Sequence, residues 1–188
     1  MRFVPAAGEP DGIRRYAPPL VYLHWAMFVL VGVAYVAINL KGMFPRGSDA
    51  RSMAMATHEV AGILVLGLAA PRLLWRLVAG APPPEPGPRW SHVLAHGAHI
   101  VLYAFLFAQP VLGWLTVNAT GHAVELRSLG IVLPTLVSPD KALGTTLKGV
   151  HEWLGTAFYL VIGLHAMAAL FHHYMLGDNT LRRMGRGR

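Results

Sequence analysis

The sequence predicts an all-α integral membrane protein, a bundle of four spanning helices. Two observations lead there first. Of the 188 residues, 54% are hydrophobic and only 13% are charged, about half the charged share of an average soluble domain. Four stretches, Leu20 to Leu40, Val60 to Pro71, Trp90 to Val124 and Trp153 to Gly177, contain no Asp, Glu, Lys or Arg, and a helix needs about 20 apolar residues to cross a bilayer. The formal net charge of +7 sits mainly in links and tails, so it reads as membrane topology and not as a nucleic-acid surface.

Taken in order, the spans are expected at about residues 20–40, 53–78, 92–117 and 148–176, as one transmembrane domain over residues 1–188. The first apolar run follows no short cleavable leader and is long enough to span, so it is read as a retained anchor. Between the second and third helices, the run from Gly80 through Pro82, Pro83, Pro84 and Pro86 to Pro88 cannot be helical, because proline removes donors and fixes the backbone. It predicts a turn between antiparallel spans. The long link from about Asn118 to Leu147 contains Ser138-Pro139-Asp140, read as the cap of a short amphipathic helix leading towards helix 4. Its length suggests a functional cover over one face.

With both termini cytoplasmic, that side collects ten basic residues, Arg2, Arg14, Arg15, Arg72, Arg76, Arg89, Arg182, Arg183, Arg186 and Arg188. Six, Lys41, Arg46, Arg51, Arg127, Lys141 and Lys148, fall outside. The excess of basic residues inside predicts that orientation, and the Arg-rich C-terminal tail reads as a topology anchor that could also meet lipid. Trp25, Trp75, Trp90, Tyr16, Tyr22 and Tyr174 read as belts at the interfaces.

Ten histidines are many for a small membrane protein, and ionisable groups at membrane depth are costly enough to be read as functional. On helix 4, His151 and His165 stand 14 residues apart, within about 40° of one face and separated by about 21 Å. His24 lies near the inner end of helix 1 and His58 near the outer end of helix 2. Antiparallel packing then pairs His24 with His165 and His58 with His151. Two imidazoles on opposite sides of one haem iron saturate it and favour electron transfer over oxygen activation. With no cysteine in the chain, covalent c-type attachment, iron–sulfur clusters and disulfides are excluded, which leaves b-type haem.

A local echo, His58-Glu59-Val60-Ala61-Gly62 against His151-Glu152-Trp153-Leu154-Gly155, supports the outer pair. Gly62 and Gly155 follow each histidine by about a turn, where a missing side chain lets a flat macrocycle approach; Glu59 and Glu152 are candidates for proton handling or support of the ligands. A zinc-protease site would need a second histidine at each glycine, so that reading is discarded. His96 and His99, near the inner surface, could compete as ligands or bond haem propionates. His172 and His173 read as interface residues.

These features resemble the bacterial cytochrome b561 family, small di-haem proteins of the inner membrane, over almost the whole chain from Arg15 to Met184. The resemblance rests on Arg15-Tyr16, Leu23-His24-Trp25, the run from Lys41 to Arg46, His58-Glu59 with Gly62, Leu94 to His99, Val150-His151-Glu152, Gly163 to Ala166, His172-His173-Tyr174 and Asp178 to Met184. It implies two haem b groups, the inner on His24 and His165 and the outer on His58 and His151. It also implies oxidation of periplasmic superoxide to oxygen with ubiquinone as electron acceptor. Arg46, Arg51, Lys141 and Lys148 in the outer loops fit that activity as a basic field drawing in a small anion, although each singly could be an ordinary solvated loop charge.

Two alternatives stay open. One is an electron-transfer subunit relaying electrons from a periplasmic dehydrogenase or cytochrome partner to quinone; the other is a haem-free scaffold or proton pathway.

Overall fold

The computed structural model describes residues 13–126 and 130–185; Arg2, Arg127, Arg186 and Arg188 of the charge pattern lie outside them. Among the described residues, α1 spans Pro18–Met43, α2 Asp49–Ala79, α3 Arg89–Ala119 and α4 Lys141–Tyr174. The shortest, α1, has 26 residues, about 39 Å at 1.5 Å per residue, against a hydrocarbon core of about 30 Å. All four are long and apolar enough to cross a membrane. Large apolar side chains such as Val93, Leu160 and Met167 stand mostly exposed, as they do when lipid is the solvent.

Every helix begins before its charge-free run, and at α2 and α4 polar caps that the apolar signal does not reach set the start. Ser48 caps α2, its hydroxyl accepting from the Arg51 amide at 3.3 Å, and Lys41 and Arg76 sit in the last turns of α1 and α2, where cations favour the dipole. The largest difference from expectation is at α4. Among the described residues no separate amphipathic helix precedes it: the Asp140 carboxylate accepts from the amides of Ala142 and Leu143 at 2.8 and 3.0 Å and caps α4 itself. Nothing breaks the helix between Lys141 and Lys148, where Thr145 and Thr146 bond back to the carbonyls of Lys141 and Ala142. The expected cap is therefore the start of a continuous 34-residue helix.

The connection before α4 is ordered around Asn118, which is 1% exposed. Its side chain donates to the His122 carbonyl and accepts from the Leu136 amide. A two-residue hairpin, β1 (Glu125–Leu126) with β2 (Ile131–Val132), forms the rest of this cover; strands so short leave no periodicity to read.

Small residues let the first two helices approach closely: Ala37, Ala54, Ala61 and Ala69 are buried, and Met27, Val65 and Ala69 form a core cluster. Packing runs in sequence order, α1 on α2, α2 on α3 and α3 on α4, whereas the backbone of α4 barely approaches α1 or α2. That separation creates the slots in which the site lies.

Candidate functional site

Both slots are bridged by side chains from α4. His165 faces His24 of α1 with ring centres 6.3 Å apart and planes at 70°; His151 faces His58 of α2 at 6.1 Å and 84°. Two imidazoles on opposite sides of one metal, each nitrogen about 2 Å from it, put their ring centres roughly 6 Å apart. Both pairs fit that spacing. Among the described residues no group of three or more His, Asp or Glu side chains is arranged to hold a bare ion, so a metal held here needs its equatorial ligands from a macrocycle. The residues present therefore fit haem better than a simple metal centre.

The outer pair is oriented by backbone carbonyls. His58 Nδ1 donates to Ala34 O at 2.9 Å and His151 Nδ1 to Gln109 O at 3.1 Å. Fixing Nδ1 as the donor leaves Nε2 as the nitrogen free to accept a metal. Gln109 also donates through its amide to the His151 carbonyl at 3.2 Å, so one residue of α3 holds both ring and backbone. Gly113 completes this support: a Cβ there would lie 3.3 Å from His151 Cε1.

The two echo glycines differ. Open space faces Gly62, whereas a Cβ on Gly155 would meet the Gln109 amide at 3.3 Å. The Gly155 carbonyl accepts from Tyr35 Oη at 2.8 Å. Between the two histidine pairs, the Tyr35 and Tyr159 rings lie 4.0 Å apart, tilted at 39°, and Asn39 donates to Tyr159 Oη at 2.8 Å. These polar contacts join α1 to α4 where their backbones stand apart.

At the inner pair a third ring is present. His99 of α3 lies 5.7 Å from His165 and donates Nδ1 to Ala95 O of its own helix at 2.7 Å. His96 is exposed and is not brought into this ring cluster. Arg72 of α2 places Nη2 3.4 Å from His24 Nδ1. Sequence reasoning counted Arg72 only as a topology charge, although an arginine inside a span is itself a functional signal. The carbonyls of Ala34 and Gln109 and the glycine at 113 left no such signal, since a backbone acceptor has no residue-type signature.

The four outer cations play unequal parts. Arg51 Nη1 donates to the carbonyls of Lys41 and Phe44 at 2.8 and 3.2 Å and so closes the end of α1. Lys148 pairs with Glu152 at 3.1 Å. Arg46 and Lys141 are exposed. Lys41 lies within electrostatic reach of Arg51, Lys148, Glu59 and Glu152, which gathers these charges at one end of the molecule.

At the other end the C-terminal segment folds back as a strap. Arg183, in a 3₁₀ turn over Arg182–Met184, pairs with Glu85 and donates to the Pro83 carbonyl. The Tyr16 amide donates to Arg183 O at 3.2 Å, and Trp25 Nε1 donates to Met184 O at 2.8 Å. Part of the expected Arg-rich anchor is thus committed to the protein. Burial works against the Asp178 carboxylate, yet hydrogen bonds from Thr180 and His172 outweigh it and hold its carboxyl below the usual range.

Comparison with known proteins gives a concordant result. A family profile described as prokaryotic cytochrome b561 matches residues 15–187. "Cytochrome b561 homolog 1" of Escherichia coli (strain K12) is 35% identical over 173 residues, 92% of this chain and 97% of the relative. "Probable superoxide oxidase CybB" of Yersinia pestis is 36% identical over 172 residues, 91% of this chain and 96% of the relative. "Cytochrome b562" of Cereibacter sphaeroides is 29% identical over 175 residues, 89% and 93%.

Proposed function

The chain belongs to the prokaryotic cytochrome b561 family, multi-pass bacterial membrane proteins of electron transfer that take b-type haem, and we propose that it holds two haems and oxidises periplasmic superoxide while reducing ubiquinone. In this reading His58 and His151 hold the outer haem, His24 and His165 the inner, and both termini face the cytoplasm. When bound, each haem would be held by two imidazoles and would supply one-electron chemistry.

The observation that carries the reading is repetition: two cross-helix imidazole pairs, 6.1 and 6.3 Å between centres, on one helix at two depths. One pair would serve a single redox site. Two in series, about 21 Å apart along α4, suit transfer across a bilayer. The electron balance is simple: two superoxide anions each give up one electron and leave as oxygen, and one quinone takes two electrons and two protons to become quinol.

The chain's own residues act on the anion before that. Arg46 and Lys141, exposed at the outer end, supply a positive field that raises the encounter rate of a small anion. Lys148, paired with Glu152, contributes to it less. The printed name of the Yersinia pestis relative, a probable superoxide oxidase, supports the choice of substrate.

The test is stopped-flow visible spectroscopy of purified, oxidised holoprotein mixed with superoxide, with and without a ubiquinone analogue, beside a dithionite-reduced spectrum. The expected result is rapid growth of b-type bands that decay when quinone is added. Bands with dithionite but none with superoxide would reassign the chain to a relay for a periplasmic partner. No b-type bands at all would overturn the haem reading.

A further inference from the structure

The two histidine pairs sit in different electrostatic surroundings, and the difference centres on Arg72. A guanidinium inside a spanning helix is costly and pairs with an opposite charge or a backbone carbonyl, of which only the first cancels its charge. Arg72 has no carboxylate partner among the described residues: Nη1 donates to Leu20 O at 2.9 Å, Nη2 faces His24 Nδ1 at 3.4 Å, and its carbon lies 5.9 Å from the Tyr103 ring centre. One turn further, Arg76 stacks over the Tyr16 ring at 5.4 Å. Among the described residues no acidic side chain offsets the positive charge of Arg72.

The outer pair is the reverse. Each imidazole donates Nδ1–H to a neutral carbonyl, which pushes electron density towards Nε2 and favours the oxidised form of a bound metal. The charges that reach this pair are mixed, the field of Lys41 at His58 and that of Glu152 at His151, with Lys148 and Glu152 paired at 3.1 Å. At His24 the group facing Nδ1 is a cation. A contact of 3.4 Å is long for a hydrogen bond, so it acts mainly through its field, and a fixed positive charge favours the state that has gained an electron.

We propose that Arg72 holds the inner haem site at a higher reduction potential than the outer, so that electrons entering from the outer face run downhill towards the inner. The inference rests on the two-haem reading above. It gives the chain a direction that two identical bis-imidazole sites would lack.

The experiment is a potentiometric titration of haem absorbance on purified holoprotein, with haem content measured on the same samples. Wild type, Arg72→Gln, Arg72→Lys and His165→Ala are compared. Wild type is expected to show two haems and two transitions, and His165→Ala to retain only the lower one, assigning the higher to the inner site. In Arg72→Gln the higher transition should fall by roughly tenfold or more in the reduction equilibrium, about 59 mV for one electron, with the lower unmoved. Arg72→Lys should stay near wild type.

Both transitions unchanged in Arg72→Gln would overturn the role of Arg72. If Arg72→Gln fails to hold haem, His165→Ala decides alone, and retention of the higher transition there overturns the inference. Fewer than two haems in wild type is a different failure, that of the two-haem reading, and takes the inference with it.

Discussion

His24 and His99 both face His165, and only one of them can share an iron with it. The ring spacings, 6.3 and 5.7 Å, do not separate them; the helices do. His99 stands on α3, which packs directly on α4, whereas His24 stands on α1, whose backbone barely approaches α4. A macrocycle is a flat plate that needs a gap between the helices flanking it, and the gap is on the α1 side. His24→Ala is therefore expected to leave one haem per chain, as is His151→Ala, while His99→Ala retains two, measured as haem content of purified protein. If His99→Ala halved the haem and His24→Ala did not, the inner ligand would be His99.

Among the elements, the C-terminal strap is held through two acids, Glu85 with Arg183 and Asp178 with His172, of which Asp178 lies in the strap itself. Asp178 accepts from the Thr180 amide at 2.8 Å and from His172 Nδ1 at 2.6 Å, and its carboxyl is held below the usual range. A depressed acid contributes stability that is present above the unfolded value, about 3.9, and is lost as pH falls through the folded one. The strap should therefore loosen only below about pH 4, read by fluorescence of Trp25, whose Nε1 donates to Met184 O. Asp178→Asn should loosen it already at neutral pH by about 1–2 kcal/mol, roughly five- to thirtyfold in the open population, and remove the acid transition. An unchanged transition in that variant would place the acid sensitivity elsewhere.

The elements also show what a sequence carries. Charge-free runs announced four helices because lipid demands them, but not their ends, where Ser48 and Asp140 cap helices that begin outside the apolar window. The proximity of His24 to His165 and of His58 to His151 follows from helical period and antiparallel order. What orients those rings does not, since Ala34 and Gln109 serve through carbonyls and Gly113 through a missing side chain. Arg72 was visible as a charge within a span, but its proximity to His24 emerges only when α1 lies against α2.

On the scale of the whole molecule, both ends carry exposed charge. At the end that holds the strap, Arg183 is committed to Glu85 and Asp178 to His172, while Arg14, Arg89 and Arg182 are exposed. At the outer end Arg46 and Lys141 remain exposed, and a field from exposed charges is screened within about 10 Å at 0.1 M salt. If that field draws superoxide in, the bimolecular rate of haem reduction should fall several-fold between about 10 and 200 mM salt. Reversing both charges, Arg46→Glu with Lys141→Glu, should lower the low-salt rate by a similar factor and flatten the salt dependence. The dithionite-reduced spectrum should not change, since neither side chain touches the histidine pairs. A rate that ignores both salt and charge reversal would mean that the anion finds the outer site without steering, and that the cations at this end serve only to anchor the helices at the lipid surface.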